Sequence, residues 1–192
     1  MTFLFDKNNH FNLANLATFL NIASGILAIY FLTHSEFIGA ALFAWLGGAF
    51  DIIDGKIARK YQLSTEFGVQ LDSFADFLSF VIVPAMFIYF GIIDGKETIL
   101  NTTFIALAFI YYIISGLRRL ITFNINTEVG TVGKYFVGIP TPLGAILLWL
   151  VYLAWEFNVI PTLFQISPEY IVLSLMILIG YLLNSKVRIP HL

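Results

Sequence analysis

Four aspartates set out the chemistry open to this chain. It reads Asp51-Ile52-Ile53-Asp54-Gly55-Lys56-Ile57-Ala58-Arg59, then eight residues to Gly68, then Asp72 and Asp76. At about 100° per residue, Asp51 and Asp54 point about 60° apart on a helix, and Gly47, Asp51, Gly55 and Arg59 follow an i,i+4 ridge. Gly68, Asp72 and Asp76 form a second such ridge, extended by Ser79 at i+3. A short basic connection makes the two helices antiparallel neighbours, so the ridges can meet. Four gathered carboxylates repel one another unless cations are present, and two divalent ions would balance them. All-oxygen ligation favours Mg²⁺, Mn²⁺ or Ca²⁺ over zinc. Two such ions side by side are a common device for clamping a phosphate and stabilising attacking and leaving oxygens. Lys56, Arg59 and Lys60 beside the acids suit a phosphate-bearing substrate. Gly47, Gly48, Gly55, Ala58 and Gly68 leave room for close helix approach or for a ligand.

The elements that must position these residues belong in a bilayer. The 192 residues are 59% hydrophobic, 17% aromatic and only 11% charged, with a mean hydropathy of +0.87. Soluble domains run near ~45–50% apolar and about 25% charged. The surplus apolar surface needs lipid as a second solvent. The composition excludes a disordered chain, a disulfide-stapled scaffold and a nucleic-acid binder built on basic patches. The net charge of −2 selects no partner, and the absence of cysteine removes disulfides and thiolate metal sites.

Six apolar stretches approach the roughly 20 residues a spanning helix needs: about Leu13–Leu32, Phe37–Asp54, Phe67–Phe90, Ile99–Gly116, Tyr135–Glu156 and Glu169–Asn184. The expectation is an all-α integral membrane protein, one six-helix domain over residues 1–192. Residues 1–12 lack a cleavable-signal pattern and form either a short interfacial amphipathic helix or an unstructured leader. Pro84 should perturb the third span, and Pro140 and Pro142 should mark a helix start. Lys7, Lys56, Arg59, Lys60, Arg118, Arg119, Lys134, Lys186 and Arg188 fall on one side of these spans, and Lys96 alone on the other. By the positive-inside rule, both termini and the acidic site face the cytoplasm, in the cell membrane.

Charge inside a bilayer costs at least about 2.5–3.5 kcal/mol per residue at the helix centre, so such groups face a cavity, a partner or an ion. Besides a phosphoryl-transfer site, the acids admit an ion-paired helix contact with Arg59 and Lys56, or the acidic pathway of a cation channel or transporter. His10, His34 and His191 are read as solvated and carry no assigned chemistry.

The pattern Asp-x2-Asp-Gly-x2-Ala-Arg-x8-Gly-x3-Asp-x3-Asp resembles, at every fixed position, the signature of the CDP-alcohol phosphatidyltransferase family. That resemblance implies a six-helix membrane enzyme that displaces CMP from a CDP-linked lipid by attack of an alcohol, with two Mg²⁺ or Mn²⁺ ions and as a homodimer. It implies that Asp51, Asp54, Asp72 and Asp76 hold the metals and that Asp76 is also the base for the attacking hydroxyl. Gly55, Ala58, Arg59 and Gly68 would receive the cytidine nucleotide. Asn15 and Thr18 match an Asn-x2-Thr pattern that approaches the nucleotide in many members, although Ala14 stands where a proline commonly precedes that Asn.

Leu71-Asp72-Ser73-Phe74-Ala75-Asp76, Ser79-Phe80 with Pro84-Ala85, Arg118-Arg119-Leu120-Ile121-Thr122-Phe123-Asn124 and Phe136 to Pro142 resemble the phosphatidylserine synthase branch. Thr122 stands where that branch often has a second arginine. The branch implies CDP-diacylglycerol and L-serine as substrates. A serine pocket needs a cation for the carboxylate, which Arg118, Arg119 or Lys134 can supply, and an acceptor for the ammonium, such as Asn124, Glu128 or a backbone carbonyl. Glycerol 3-phosphate or inositol phosphate would use cations too, so charge alone leaves the acceptor open. The same basic residues would also serve as headgroup anchors.

Overall fold

A computed structural model describes residues 3–96, 102–128, 135–164, 167–185 and 188–190. The chain forms two compact units, Met1–Ser79 and Phe80–Leu192, and the helical segment Glu66–Ile93 contributes to each.

In the first unit, α1 (Leu13–Thr33) starts where the Asn12 side chain accepts a hydrogen bond from the Asn15 N–H at 3.0 Å. Such a cap is worth about 1 kcal/mol. Its buried face is small or polar, with Ala14, Ala17, Thr18, Asn21, Ser24, Gly25 and Ala28 repeating at helical spacing. Leu20, Ile26, Leu27 and Tyr30 stay exposed, the surface a lipid-facing helix leaves outward. Helix α2 (Phe37–Lys60) buries only Ala40, Gly47 and Asp54, spaced seven residues apart. A tight turn follows, with Gln62 at φ 55° and Leu63 buried. Helix α3 (Glu66–Asp76) begins at Thr65, whose hydroxyl accepts from the Gly68 N–H at 3.0 Å. Helix α1 packs along both α2 and α3, while α2 and α3 meet each other over a shorter stretch.

Residues 3–12 form turns rather than the amphipathic helix or loose leader expected. Leu13 N–H donates to the Leu4 carbonyl at 2.8 Å. Phe5 meets the Tyr61 ring edge-on at 4.9 Å, and His10 stacks on Phe67 at 4.3 Å. His10 stays exposed, as its reading as a solvated residue expects, with one ring face against Phe67.

Helix α3 passes into a π-helical turn, Phe77–Ile82, and then into the second unit through α4 (Val83–Ile88) and a second π-helical turn, Tyr89–Ile93. Pro84 donates no hydrogen bond, and widened turns on both sides accommodate the loss. The second unit continues with α5 (Thr102–Glu128), α6 (Thr141–Glu156), the short α7 (Val159–Leu163) and α8 (Pro168–Leu183). Pro140 and Pro142 flank the first residue of α6, as expected. Phe87 packs on Trp149 at 4.3 Å, and Lys96 pairs with Glu169 at 3.3 Å while lying over the Trp155 ring.

The protein is a multi-pass membrane protein. Among the described residues, four helical segments are long and apolar enough to cross a bilayer: Leu13–Thr33, Phe37–Lys60, Glu66–Ile93 and Thr102–Ile125. The shorter apolar helices Thr141–Glu156 and Pro168–Leu183 fall where the fifth and sixth spans were expected. Three local differences stand out. Strand β1 (Tyr135–Val137) pairs antiparallel with β2 (Arg188–Pro190), a small departure from an all-helical fold that shortens the fifth apolar helix. Helix α2 runs on to Lys60 because its last turn carries Arg59 and Lys60, which suit the negative end of the helix dipole. Helix α5 continues past Gly116 to Glu128, so Arg118, Arg119 and Asn124 lie on a helix and not in a loop.

Gly138 adopts φ +84°, and a Cβ there would lie 2.5 Å from the Leu183 carbonyl oxygen. Gly95 has a similar φ of +75° but, among the described residues, nothing within 4 Å of that position. Gly95→Ala should cost about 1 kcal/mol from its backbone angle alone, and Gly138→Ala about 1–3 kcal/mol. Thermal unfolding of the two variants in detergent should place Gly138→Ala clearly lower; equal midpoints would remove the clash from the account.

Candidate active site

The four aspartates come from two helices, α2 and α3, that both pack on α1. Carboxylate oxygens of Asp51, Asp72 and Asp76 all lie within 4.8 Å of one another. The two i,i+4 ridges therefore meet at their carboxylates, as their spacing suggests. Asp54 lies one turn nearer the end of α2. It is buried, and its Oδ2 has no hydrogen-bond partner; Asp76 Oδ1 is likewise buried without one. Among the described residues, no Lys or Arg nitrogen lies within 4.0 Å of these carboxylates, so the ion-paired helix contact is not formed.

An open cavity of about 190 Å³ adjoins the cluster. Asn15 and Thr18 of α1 line it, with Asp54, Gly55, Ala58 and Arg59 of α2 and Gly68 and Asp72 of α3. All six residues expected at a nucleotide are thus on one wall system, beside two of the acids. Their local geometry shows why. The Asn15 side-chain N–H donates to the His10 carbonyl at 3.0 Å, which leaves its Oδ1 turned toward Gly68. A Cβ at Gly68 would come within 2.9 Å of that oxygen, so glycine is required for α3 to close on α1. At Gly55 the nearest atoms to a Cβ would be those of the Arg59 guanidinium, at 3.5 Å, an ordinary contact. Packing therefore does not demand a glycine at Gly55, which lines the cavity. The same distance shows the Arg59 guanidinium folded back beside the cavity.

Sequence reasoning missed Ala14, Leu63, Ser64, Thr65 and Val69, which complete the lining. Thr65 carried a readable signal, because a Thr three residues before Gly68 has the spacing of a helix N-cap. Leu63 and Ser64 belong to a turn whose path depends on Leu63 being buried, which local spacing does not reveal. Of the residues expected to hold the acceptor, Arg119 is buried, Arg118 is exposed and Asn124 is half-buried, all on α5 of the second unit. Lys134 lies outside the described residues.

The donor set fits hard divalent cations. It is all oxygen, three carboxylates converge, and two buried carboxylate oxygens lack protein partners.

A profile of the CDP-alcohol phosphatidyltransferase family matches residues 11–183. A CDP-diacylglycerol–serine O-phosphatidyltransferase of Bacillus subtilis is 32% identical over 178 residues, covering 92% of this chain and 88% of its own. One from Helicobacter pylori is 31% identical, with 92% and 71% covered. An archaetidylserine synthase of Methanothermobacter thermautotrophicus is 30% identical, with 93% and 70% covered. The matched profile spans all three helices that wall the cavity and both that carry the acids, and the chain belongs to the CDP-alcohol phosphatidyltransferase family.

Proposed function

We propose that the chain transfers the phosphatidyl group of CDP-diacylglycerol to the hydroxyl of L-serine, releasing CMP and forming phosphatidylserine. The carrying observation is the cavity lined by Gly55, Ala58, Arg59 and Gly68 directly beside Asp54 and Asp72, in a chain similar to CDP-diacylglycerol–serine O-phosphatidyltransferases. Two divalent cations, Mg²⁺ or Mn²⁺, held by Asp51, Asp54, Asp72 and Asp76, would neutralise the pyrophosphate and stabilise the CMP phosphate as it leaves.

The chain's own residues do the rest. Gly55, Ala58 and Gly68 leave space for the nucleotide, and Asn15 and Thr18 offer polar contacts along one side. Arg59 places its guanidinium near the pyrophosphate, where a planar fork suits phosphate oxygens. Asp76 takes the proton of the serine hydroxyl as that oxygen attacks the lipid-side phosphorus. The bond from that phosphorus to the bridging oxygen breaks, and the oxygen leaves with CMP. Arg118, Arg119 and Lys134 supply cations for the serine carboxylate, and Asn124 an acceptor for its ammonium group. Six helices cross the cell membrane, with both termini and the site on the cytoplasmic side, and the enzyme works as a homodimer.

The first test is CMP release by the purified chain in liposomes given CDP-diacylglycerol. Serine, glycerol 3-phosphate, inositol 1-phosphate and no acceptor are compared, each with Mg²⁺, Mn²⁺ or EDTA. Release should require serine and a divalent ion. Release with another acceptor would move the acceptor assignment, and ion flux without any release would favour a transporter.

Asp76→Asn should lower kcat by about 10³-fold or more while nucleotide binding persists, since it removes both a ligand and the proton acceptor. Turnover near wild type would end its role as base. Arg119→Ala should raise the KM for serine about tenfold, as loss of a charge-assisted hydrogen bond predicts, with the KM for the CDP-lipid little changed. Equal rises in both would assign Arg119 to membrane anchoring.

A further inference from the structure

One turn below the carboxylates, the three helices of the first unit carry a second polar layer that the reaction scheme leaves unused. On α1, Asn21 follows Thr18 by three residues. On α2, Gly47 precedes Asp51 by four. Beyond α3, Ser79 follows Asp76 by three. These three residues meet. The Ser79 hydroxyl donates to Asn21 Oδ1 at 2.6 Å, with Asn21 fully buried and Ser79 7% exposed. A Cβ at Gly47 would lie 3.1 Å from Asn21 Oδ1 and 3.3 Å from Ser79 Oγ, so a glycine there keeps the pair undisturbed.

The arrangement is poor value as packing. The Asn21 Nδ2 is buried with no hydrogen-bond partner, and an orphan amide donor is unfavourable where aliphatic side chains would fit. Its placement points to a different role. Ser79 sits inside the π-helical turn Phe77–Ile82, which begins at the residue after Asp76. A π-helical turn lacks the regular i→i−4 ladder that would fix the rotation of its neighbours. The turn changes the helical register just after Asp76, and the side chain on α1 that holds it is Asn21, through Ser79.

We propose that Asn21 and Ser79 are positioning residues for the carboxylate cluster: their hydrogen bond anchors the turn after Asp76 and so holds that carboxylate within reach of Asp51 and Asp72. Partners behind a metal ligand commonly change metal affinity or activity by about 10–100-fold when removed. The proposal rests on reading the cluster as a divalent-cation site, but not on which acceptor the enzyme uses.

The test is Mn²⁺ titration of the purified full chain, with free Mn²⁺ read by electron paramagnetic resonance, alongside CMP release and thermal unfolding. Ser79→Ala, Asn21→Leu and the double variant are compared with Ser24→Ala, a control whose hydroxyl bonds its own helix at the Leu20 carbonyl. Ser79→Ala should weaken Mn²⁺ binding about tenfold and lower kcat about tenfold. Its KM for the CDP-lipid should stay within about twofold and its unfolding midpoint near wild type. The double variant should lose no more than either single one, since both act through one bond. Ser24→Ala should match wild type throughout. Wild-type Mn²⁺ affinity in Ser79→Ala, or losses in proportion to lowered unfolding midpoints, would overturn the proposal. If Asn21→Leu does not fold, Ser79→Ala decides. A wild-type chain that binds no Mn²⁺ overturns it as well. One that binds Mn²⁺ without releasing CMP overturns the reaction reading alone, and the Mn²⁺ comparison still stands.

Discussion

Mutual repulsion of carboxylates grows as water is excluded, and this chain gathers three of its four motif aspartates within 4.8 Å of one another inside apolar helices. Like charges that close cost several kcal/mol each at the effective dielectric of a protein site. The surrounding structure answers that constraint. The acids sit beside an open cavity rather than in a sealed core, and two of their oxygens are left without protein partners. No basic side chain among the described residues closes on them. An ion pair would have been the simpler compensation if stability were all the site supplied. The arrangement instead leaves the negative charge available to cations that arrive from outside the chain.

Close helix approach follows from the same demand. Carboxylates are short side chains, so those of α2 and α3 can converge only if the helices that carry them are held tightly against α1. The small stripe from Ala14 to Ala28 on α1 makes that possible. Gly68 shows how little slack remains, since a single methyl group there would meet Asn15 Oδ1. Helix α1 contributes no acid, yet it supplies one wall of the cavity through Asn15 and Thr18 and packs on both acid-bearing helices. The residues before it are drawn in as well, because the His10 carbonyl fixes which end of the Asn15 amide faces the cavity.

What the sequence made legible was whatever repeats at short range. The i,i+4 spacing of Gly68, Asp72 and Asp76 and the i,i+3 pair Asp51 and Asp54 specify which groups share a helix face, and the cluster formed as that spacing implies. The apolar runs located the helices. Their ends were less clear, because a hydropathy reading stops at the first charge while a helix needs only its backbone hydrogen bonds; α2 and α5 both run on past that point. Pro84 was readable as a disturbance, but its form as two π-helical turns depends on how the neighbouring helices accept the widened backbone. Ser79 was legible as the i+3 extension of the Asp76 ridge, but the folded leader and the pairing of Ser79 with Asn21 were not. They join residues more than 50 positions apart, and local spacing does not say which residue of another helix a side chain will meet.

Depth along the helices separates the two uses a membrane protein can make of buried acids. A transport pathway places them near mid-bilayer, where an ion must be passed from one side to the other. Here Asp54 lies six residues before the end of α2, and Asp72 six residues after the start of α3, about 9 Å along each helix. The turn between those ends contributes Leu63, Ser64 and Thr65 to the cavity, so the space opens at the end of the helices and not along their middle. Such a position suits a reaction between unlike substrates. A water-soluble alcohol and a nucleotide would reach such a site without crossing hydrocarbon, while a lipid's acyl chains would stay among the exposed Ile, Leu and Phe side chains of these helices. The acids are deep enough to escape dilution by bulk water and shallow enough to be reached from it, and only that range of depth serves both partners at once.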